Sequence, residues 1–221
     1  MLKTGISFID TLAFILVFLP LLPIAIAVLR RNYSSDPIHL LIILCLVLFF
    51  RNSISQRLLT NSSPAILHIF TIVETVLYAL LFGLRLGTKE KEVLKILLFI
   101  FLTATLSFFL FYGIDRQTNL LDNFQDLLVI VLIVYCLPGL IRRDGLLIFR
   151  KAQFWIAAGT LFYLATALLV TMTIFNMGDT RKNPATNNDQ TLILDLANFM
   201  RLAFYSVAVA SFVRGHPEIP D

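Results

Sequence analysis

Charged residues are scarce in this sequence. Only 14% of the 221 residues are Asp, Glu, Lys or Arg, whereas 58% are hydrophobic and the mean hydropathy is +0.84. Soluble domains are typically about 45–50% apolar and about 25% charged. The composition therefore excludes a soluble enzyme, a disordered tail and a nucleic-acid-binding module, and it indicates a protein of the lipid bilayer.

Cysteine and histidine are also scarce, and no lysine lies in the last apolar run. These absences argue against bound metal, haem and retinal. Cys45 and Cys136 fall inside separate apolar runs, so we expect two buried free thiols and no disulfide. The three histidines have no metal-binding spacing and form no facing pair for haem. No lysine lies within the last apolar run, which excludes a retinal Schiff base there. We therefore expect no metal and no cofactor.

Seven apolar runs are long enough to cross a membrane as helices, since about 20 residues suffice. They are Ile9–Leu29, Pro37–Gln56, Pro64–Leu84, Val93–Tyr112, Leu120–Ile141, Phe154–Met177 and Thr191–Val213. Only short loops remain, so the sequence predicts one all-α domain over residues 1–221, a polytopic membrane protein with seven transmembrane helices in one bundle. Pro20 and Pro23 lie inside the first run and should bend it.

Positive residues are divided unequally between the two sides of the predicted bundle. If the N-terminus lies outside, eleven of the eighteen Lys and Arg residues fall on the inner side. These are Arg30, Arg31, Arg85, Lys89, Lys91, Lys95, Arg142, Arg143, Arg150, Lys151 and Arg214. Because short cytoplasmic loops carry the excess of Lys and Arg, we predict a multi-pass protein of the inner (cytoplasmic) membrane with its N-terminus outside and its C-terminus inside.

Polar side chains interrupt the apolar runs, mainly in their predicted outer halves. A charge at the bilayer centre costs about 2.5–3.5 kcal/mol, so such side chains turn inwards and find partners. Thr71, Glu74 and Tyr78 are spaced three and four residues apart and share one helix face. We predict an outward-facing polar cavity that binds a ligand. Its lining is Arg51, His68, Thr71, Glu74, Tyr78, Asp126, Asn176, Asn198, Arg201 and Tyr205.

Glu74 and Arg201 carry opposite charges inside predicted helices. Each lies roughly two to three turns within its span, at about 1.5 Å per residue. We expect them to pair directly or to share a bound ligand; a plain ion pair that fixes helix packing is the alternative. His68 stays open between a core histidine, a proton switch and a metal ligand beside Glu74 or Asp126.

Three short segments resemble motifs of a known group of membrane proteins. They are His68–Glu74, Phe154–Gly159 and Asn198–Tyr205. They resemble motifs of seven-helix membrane proteins of unsettled activity found in Bacteroidota, and the resemblance covers most of the chain. It implies a seven-helix fold and marks His68, Glu74 and Trp155. Some members of that group resemble the membrane sensory halves of signalling proteins.

The one-sided cavity favours a receptor-like or sensory module that binds a small ligand or a proton and signals to a separate partner. That partner would contact a basic inner surface formed by Arg142, Arg143, Arg150 and Lys151. The lipid bilayer is the other predicted partner, and nucleic acid is not one. Small residues in the last run (Ser206, Ala208, Ala210 and Ser211) allow close helix packing or a homodimer.

Three alternative functions stay open. An intramembrane enzyme acting on a lipid would use Glu74, His68 and Asp126 as acid, base or water-positioning groups. A carrier would use Glu74 and Arg201, although the predicted inner half has almost no polar residues. A structural subunit of a larger membrane complex would need none of these roles.

Overall fold

The computed structural model describes residues 8–30, 36–55, 64–84, 86–113, 119–144, 152–176 and 184–211. Within these residues the regular structure is entirely helical. The helices are α1 (Phe8–Phe18), α2 (Leu21–Leu29), α3 (Asp36–Ser55), α4 (Pro64–Gly83), α5 (Thr88–Tyr112), α6 (Asn119–Asp144), α7 (Ala152–Asn176) and α8 (Pro184–Ser211). Five of them, α3, α4, α5, α7 and α8, are long and apolar enough to cross a membrane. The predicted all-α class is confirmed, and these helices indicate a membrane protein.

Two of the seven predicted spans are not among these five helices. The first is divided into α1 and α2, of 11 and 9 residues. The fifth lies in α6, a helix of 26 residues whose described side chains include the apolar stretch Asn123–Leu137. By length and composition, the described residues therefore support five spans, and crossings by α1–α2 and by α6 stay predictions.

Pro20 explains the break between α1 and α2. Proline has no N–H, so the carbonyl of Leu16, four residues earlier, has no helical donor. Nδ2 of Asn52 on α3 donates to this carbonyl oxygen over 3.3 Å. The carbonyl of Leu19, which Pro23 leaves without its helical donor, accepts from the backbone N–H three residues later over 3.0 Å. The sequence predicts a bend here. The structure contains a break, at which the carbonyls of Leu16 and Leu19 both accept hydrogen bonds.

The outside of the bundle is largely apolar. On α5, Phe99, Leu110 and Phe111 are 71%, 77% and 84% exposed. Soluble proteins rarely present large continuous apolar surfaces. Lipid tails can cover this surface without an energetic penalty, which agrees with the membrane assignment from composition.

α7 and α8 form the most extensive helix contact among the described residues. Gly159 of α7 permits it, because a Cβ atom at this position would lie 2.7 Å from Cβ of Phe204 and 3.1 Å from the carbonyl oxygen of Arg201. One turn earlier, Trp155 stacks on Phe204 with 5.7 Å between ring centroids. The close approach fixes the position of Arg201 against α7.

Both cysteines lie in the helical core. Cys45 on α3 and Cys136 on α6 are buried free thiols. The prediction of two buried thiols without a disulfide is confirmed.

Substitution of Asn52 tests the account of the helix break. Asn52→Ala should lower the free energy of unfolding by about 1–3 kcal/mol, because the Leu16 carbonyl loses its donor inside the bundle. In a Pro20→Ala background, residue 20 supplies a backbone N–H, so Asn52→Ala should cost less than half as much. SDS-induced unfolding in mixed micelles, followed by circular dichroism, measures both values. An equal cost in the two backgrounds would contradict the account.

Candidate functional site: a buried polar cluster

Polar side chains from four helices meet inside the bundle. They are Arg51 of α3, Glu74 and Tyr78 of α4, Thr160 and Tyr163 of α7, and Asn198, Arg201 and Tyr205 of α8. We call this set the buried polar cluster. Five members are at most 4% exposed, namely Glu74, Tyr78, Thr160, Arg201 and Tyr205. The other three are half-buried.

Arg51 and Glu74 form an ion pair between α3 and α4. Nη1 of Arg51 donates to Oε2 of Glu74, and the two side chains are 28% and 2% exposed. Eight residues join α3 to α4, and the helices pack together, so they run in opposite directions. Helical side chains lean towards the N-terminus of their own helix. On antiparallel helices these two side chains therefore lean towards each other.

Of the two predicted arrangements of Glu74 and Arg201, the direct ion pair is wrong, and the shared ligand stays a prediction. Among the described residues, the ion-pair partner of Glu74 is Arg51. Arg201 instead contacts the hydroxyl of Tyr78, which lies one turn along α4 from Glu74. The reason for the difference is geometric, because Arg51 leans directly towards the carboxylate.

The charge of Arg201 is surrounded by neutral groups. Nη2 donates to Oδ1 of Asn198 over 2.6 Å, and Nη1 donates to the hydroxyl of Tyr78 over 3.4 Å. The guanidinium carbon lies 3.9 Å from the centre of the Tyr163 ring, which is a cation–π contact. Nε is buried and has no acceptor among the described residues. Arg201 is thus a buried cation without a carboxylate partner within this part of the chain.

A chain of hydroxyl groups begins at Arg201. The Tyr78 and Tyr205 hydroxyls are 3.0 Å apart, and that of Tyr205 is 2.7 Å from Oγ1 of Thr160. Thr160 also donates to the backbone carbonyl of Ile156 over 2.7 Å. Arg201 can only donate and the carbonyl can only accept, so each hydroxyl donates in the direction of Ile156. The chain is polarised and joins α4, α7 and α8.

His68 and Thr71 occupy other positions on α4. The His68 ring is buried, and its centroid lies 5.5 Å from that of Phe109 on α5. At 3.6 residues per turn, His68 is about 120° around the helix from Glu74. The Thr71 hydroxyl donates over 3.1 Å to a backbone carbonyl of its own helix. The structure therefore directs His68 to α5 and does not bring it to Glu74.

The remaining predicted residues are only partly described. Asp126 is half-buried on α6, makes contacts of its own, and its charge acts on Tyr163. The side chain of Asn176 lies outside the described residues. The same is true of the proposed basic inner surface, Arg142, Arg143, Arg150 and Lys151. Their predicted roles stay predictions.

Two members of the cluster, Thr160 and Tyr163, are absent from the predicted ligand-binding set. They are three residues apart on α7, which is the spacing that groups Thr71 with Glu74 on α4. Neither is charged, and neutral Thr and Tyr are common in membrane helices. The spacing is therefore a usable sequence signal only when the facing helix is known to carry a charge.

No group of three or more His, Cys, Asp or Glu residues in the described part of the chain is placed to hold a metal ion. A cavity of about 130 Å³ lies between α5 and α6. It is lined by Leu86, Val93, Leu94, Leu97, Val131, Leu132 and Tyr135. None of the predicted ligand-binding residues lines this apolar cavity.

Comparison of the chain with protein-family models, with curated proteins and with solved structures finds no match. The resemblance of three short segments to a seven-helix group of Bacteroidota therefore stays a prediction. Functional conclusions depend on the geometry of the buried polar cluster.

The Arg51–Glu74 pair gives an asymmetric prediction for stability. Removing one partner of a buried pair costs about 3–5 kcal/mol, and less when the remaining charge can reach water. Arg51→Gln leaves a carboxylate that is 2% exposed, whereas Glu74→Gln leaves a guanidinium that is 28% exposed. Arg51→Gln should therefore destabilise the protein more.

SDS-induced unfolding of both single variants and of the double variant measures this asymmetry. Arg51 makes further contacts, so the double variant is needed, and it should cost less than the sum of the single variants. Glu92→Gln, which breaks the exposed pair with Lys95, is the matched control and should change little. A larger cost for Glu74→Gln, or full additivity, would contradict the interpretation.

Proposed function

We propose that the protein is a receptor-like, seven-helix module of the cytoplasmic membrane, with its N-terminus outside and its C-terminus inside. In this proposal α1 and α2 together form the first transmembrane segment and α6 forms the fifth. The other five segments are the helices that are long and apolar enough to cross.

Packing and length support a membrane role for α1, α2 and α6. Both α1 and α2 pack against α3 and α8, as one broken rod would. Phe8–Leu29 spans 22 residues, or about 33 Å of helix, against about 30 Å of hydrocarbon. α6 has 26 residues, and its Gln125 is only 3% exposed. Burial keeps this polar side chain away from lipid.

Two contacts between helix ends support the alternating arrangement. The Arg30 guanidinium, directly after α2, donates to the carbonyl of Ala210 near the end of α8. Nε2 of Gln153, at the start of α7, donates to the carbonyl of Leu81 near the end of α4 over 3.4 Å. In an alternating seven-helix bundle these four positions all lie towards the inner side.

Cysteine labelling tests the number of spans and their direction. A membrane-impermeant maleimide should label Lys3→Cys and Lys182→Cys in intact spheroplasts, and Lys91→Cys only after permeabilisation. If α6 does not cross, positions 91 and 182 will lie on the same side; if α1 and α2 do not cross, positions 3 and 91 will. The unsubstituted protein is the control, because Cys45 and Cys136 are buried.

The burial of Arg201 against α7 is the observation that carries the sensory function. Arg201 is only 4% exposed, its guanidinium contacts α4 and α7, and its backbone carbonyl lies against Gly159. A small ligand or a proton that changes these contacts must also change the packing between α7 and α8. A ligand can shift a conformational equilibrium only through such differential contacts.

The same geometry gives less support to the alternatives. An enzyme using Glu74, His68 and Asp126 would need His68 near Glu74, but its ring faces Phe109. A carrier would need polar groups along its whole path. Between Thr160 and Gln153 on α7 lie Ile156 and Ala157, at 0% and 1% exposure. A polar route that ends inside the bundle suits a module that transmits a conformational change.

In this proposal the change is received by a separate signalling protein on the cytoplasmic side. The basic inner surface of Arg142, Arg143, Arg150 and Lys151 supplies charge for that contact and for anionic lipid headgroups. Signal transduction by the chain therefore depends on a partner that reads the positions of the helix ends.

Trp155 is the only tryptophan in the sequence and reports directly on the α7–α8 contact. In proteoliposomes, its emission should change when the outside is acidified or receives the dialysable fraction of a rich growth medium. Arg201→Gln should abolish the response to the dialysable fraction, whereas the exposed control Glu92→Gln should keep it. Constant emission of the wild-type protein under both stimuli, or an undiminished response of Arg201→Gln, would overturn the sensory function.

A further inference from the structure

Arg201 has hydrogen-bond donors that the described residues do not use. A guanidinium has five N–H donors, and the described contacts of Arg201 use two of them, to Asn198 and Tyr78. Nε is buried without an acceptor in the described part of the chain. Burying a charge without a countercharge is costly. The site therefore favours an anionic group with oxygen acceptors.

Glu74 has an unused acceptor in the same cluster. Its Oε2 accepts from Arg51, while Oε1 is buried and has no donor among the described residues. Glu74 is 1% exposed, so bulk water does not solvate it freely. Because Arg51 compensates its charge, Glu74 repels an incoming anion less than an unpaired carboxylate would. A ligand that carries both an acceptor and a donor suits this pair of residues.

We propose that the buried polar cluster binds a small hydroxy- or amino-carboxylate. The carboxylate of the ligand accepts from Arg201, including Nε, and its hydroxyl or ammonium group donates to Oε1 of Glu74. This assignment names the ligand class of the site and rests on the proposed function in assuming that the cluster is reached from outside.

Three features select this class of ligand. A planar carboxylate matches the fork of a guanidinium group and forms paired hydrogen bonds with it. Tyr163 covers one face of the Arg201 guanidinium, so the ligand cannot stack on that face. Inorganic anions such as chloride have no donor for Glu74. Nε of Arg201 and Oε1 of Glu74 are both buried, which limits the ligand to a small molecule.

A three-carbon series of compounds tests the proposal. Propionate carries only the carboxylate, L-lactate adds a hydroxyl group, and L-alanine adds an ammonium group; isopropylamine carries only the donor. Binding to the full-length protein in detergent is measured by isothermal titration calorimetry. Lactate or alanine should bind about tenfold or more tightly than propionate, as one charge-assisted hydrogen bond predicts. Isopropylamine should not bind.

Variants assign the two contacts. Glu74→Gln should remove the advantage of lactate or alanine over propionate, and Arg201→Gln should abolish binding of all three carboxylates. Glu92→Gln, on the exposed surface, is the control. If Arg201→Gln does not fold, the loss of the advantage in Glu74→Gln carries the test. A preference for lactate over alanine, or the reverse, tells a hydroxy acid from an amino acid.

Two results would overturn the proposal. Equal affinity for propionate, lactate and alanine would exclude the Glu74 contact, and no binding by any carboxylate would exclude the ligand class. Failure here is distinct from failure of the sensory function. If the medium fraction changes Trp155 emission but the carboxylates do not bind, only the ligand class fails. If the carboxylates bind but Trp155 emission stays constant under acidification and the medium fraction, the sensory function fails and the ligand site stands.

Discussion

The burial of one guanidinium group, that of Arg201, is the constraint on which the central helices depend. In the interior of a membrane bundle a charge cannot be left without polar partners. Three helices each supply a neutral one: Tyr78 from α4, Tyr163 from α7 and Asn198 from α8 itself. Because the Tyr78 hydroxyl accepts from Arg201, it donates to Tyr205, which donates to Thr160. The backbone carbonyl of Ile156 is the last acceptor of this chain.

Backbone groups inside the bundle also need hydrogen-bond partners, so buried polar atoms that have none are informative. Where Pro20 removes a helical donor, an amide from a neighbouring helix replaces it. Against this background, few buried polar atoms in the described residues have no partner. Those belonging to Glu74 and Arg201 lie in one cluster, one an acceptor and the other a donor. Buried oxygens of Thr105, Gln153 and Asp195 are also without partners among the described residues, but they lie outside the buried polar cluster.

The sequence predicts the helical class and the polar face of α4, because composition and spacing depend on local chemistry. The ion-pair partner of Glu74 could not be predicted in this way. Glu74 pairs with Arg51 instead of Arg201 because α3 and α4 run in opposite directions and the two side chains lean towards each other, and the spacing of residues within one helix does not show this. Tyr163 was not predicted as a site residue since a neutral ring acquires its role only when a cation from α8 lies over it. Hydropathy predicts the apolar run Ile9–Leu29 but not its division into α1 and α2, because it does not register the backbone donor that Pro20 removes.

The proposed sensory role depends on a difference in strength between the two hydrogen bonds that Arg201 donates. Arg201 holds Asn198 at 2.6 Å but Tyr78 at 3.4 Å, and a hydrogen bond at the longer distance is weak. A ligand carboxylate that competes for the guanidinium therefore displaces the α4 contact at little cost, while Asn198 keeps the side chain in place. The backbone of α8 cannot absorb the change alone, since Gly159 brings it against α7 with no spare space. In the proposed function, a small chemical change at Arg201 becomes a relative movement of α7 and α8, which the proposed cytoplasmic partner detects at the helix ends.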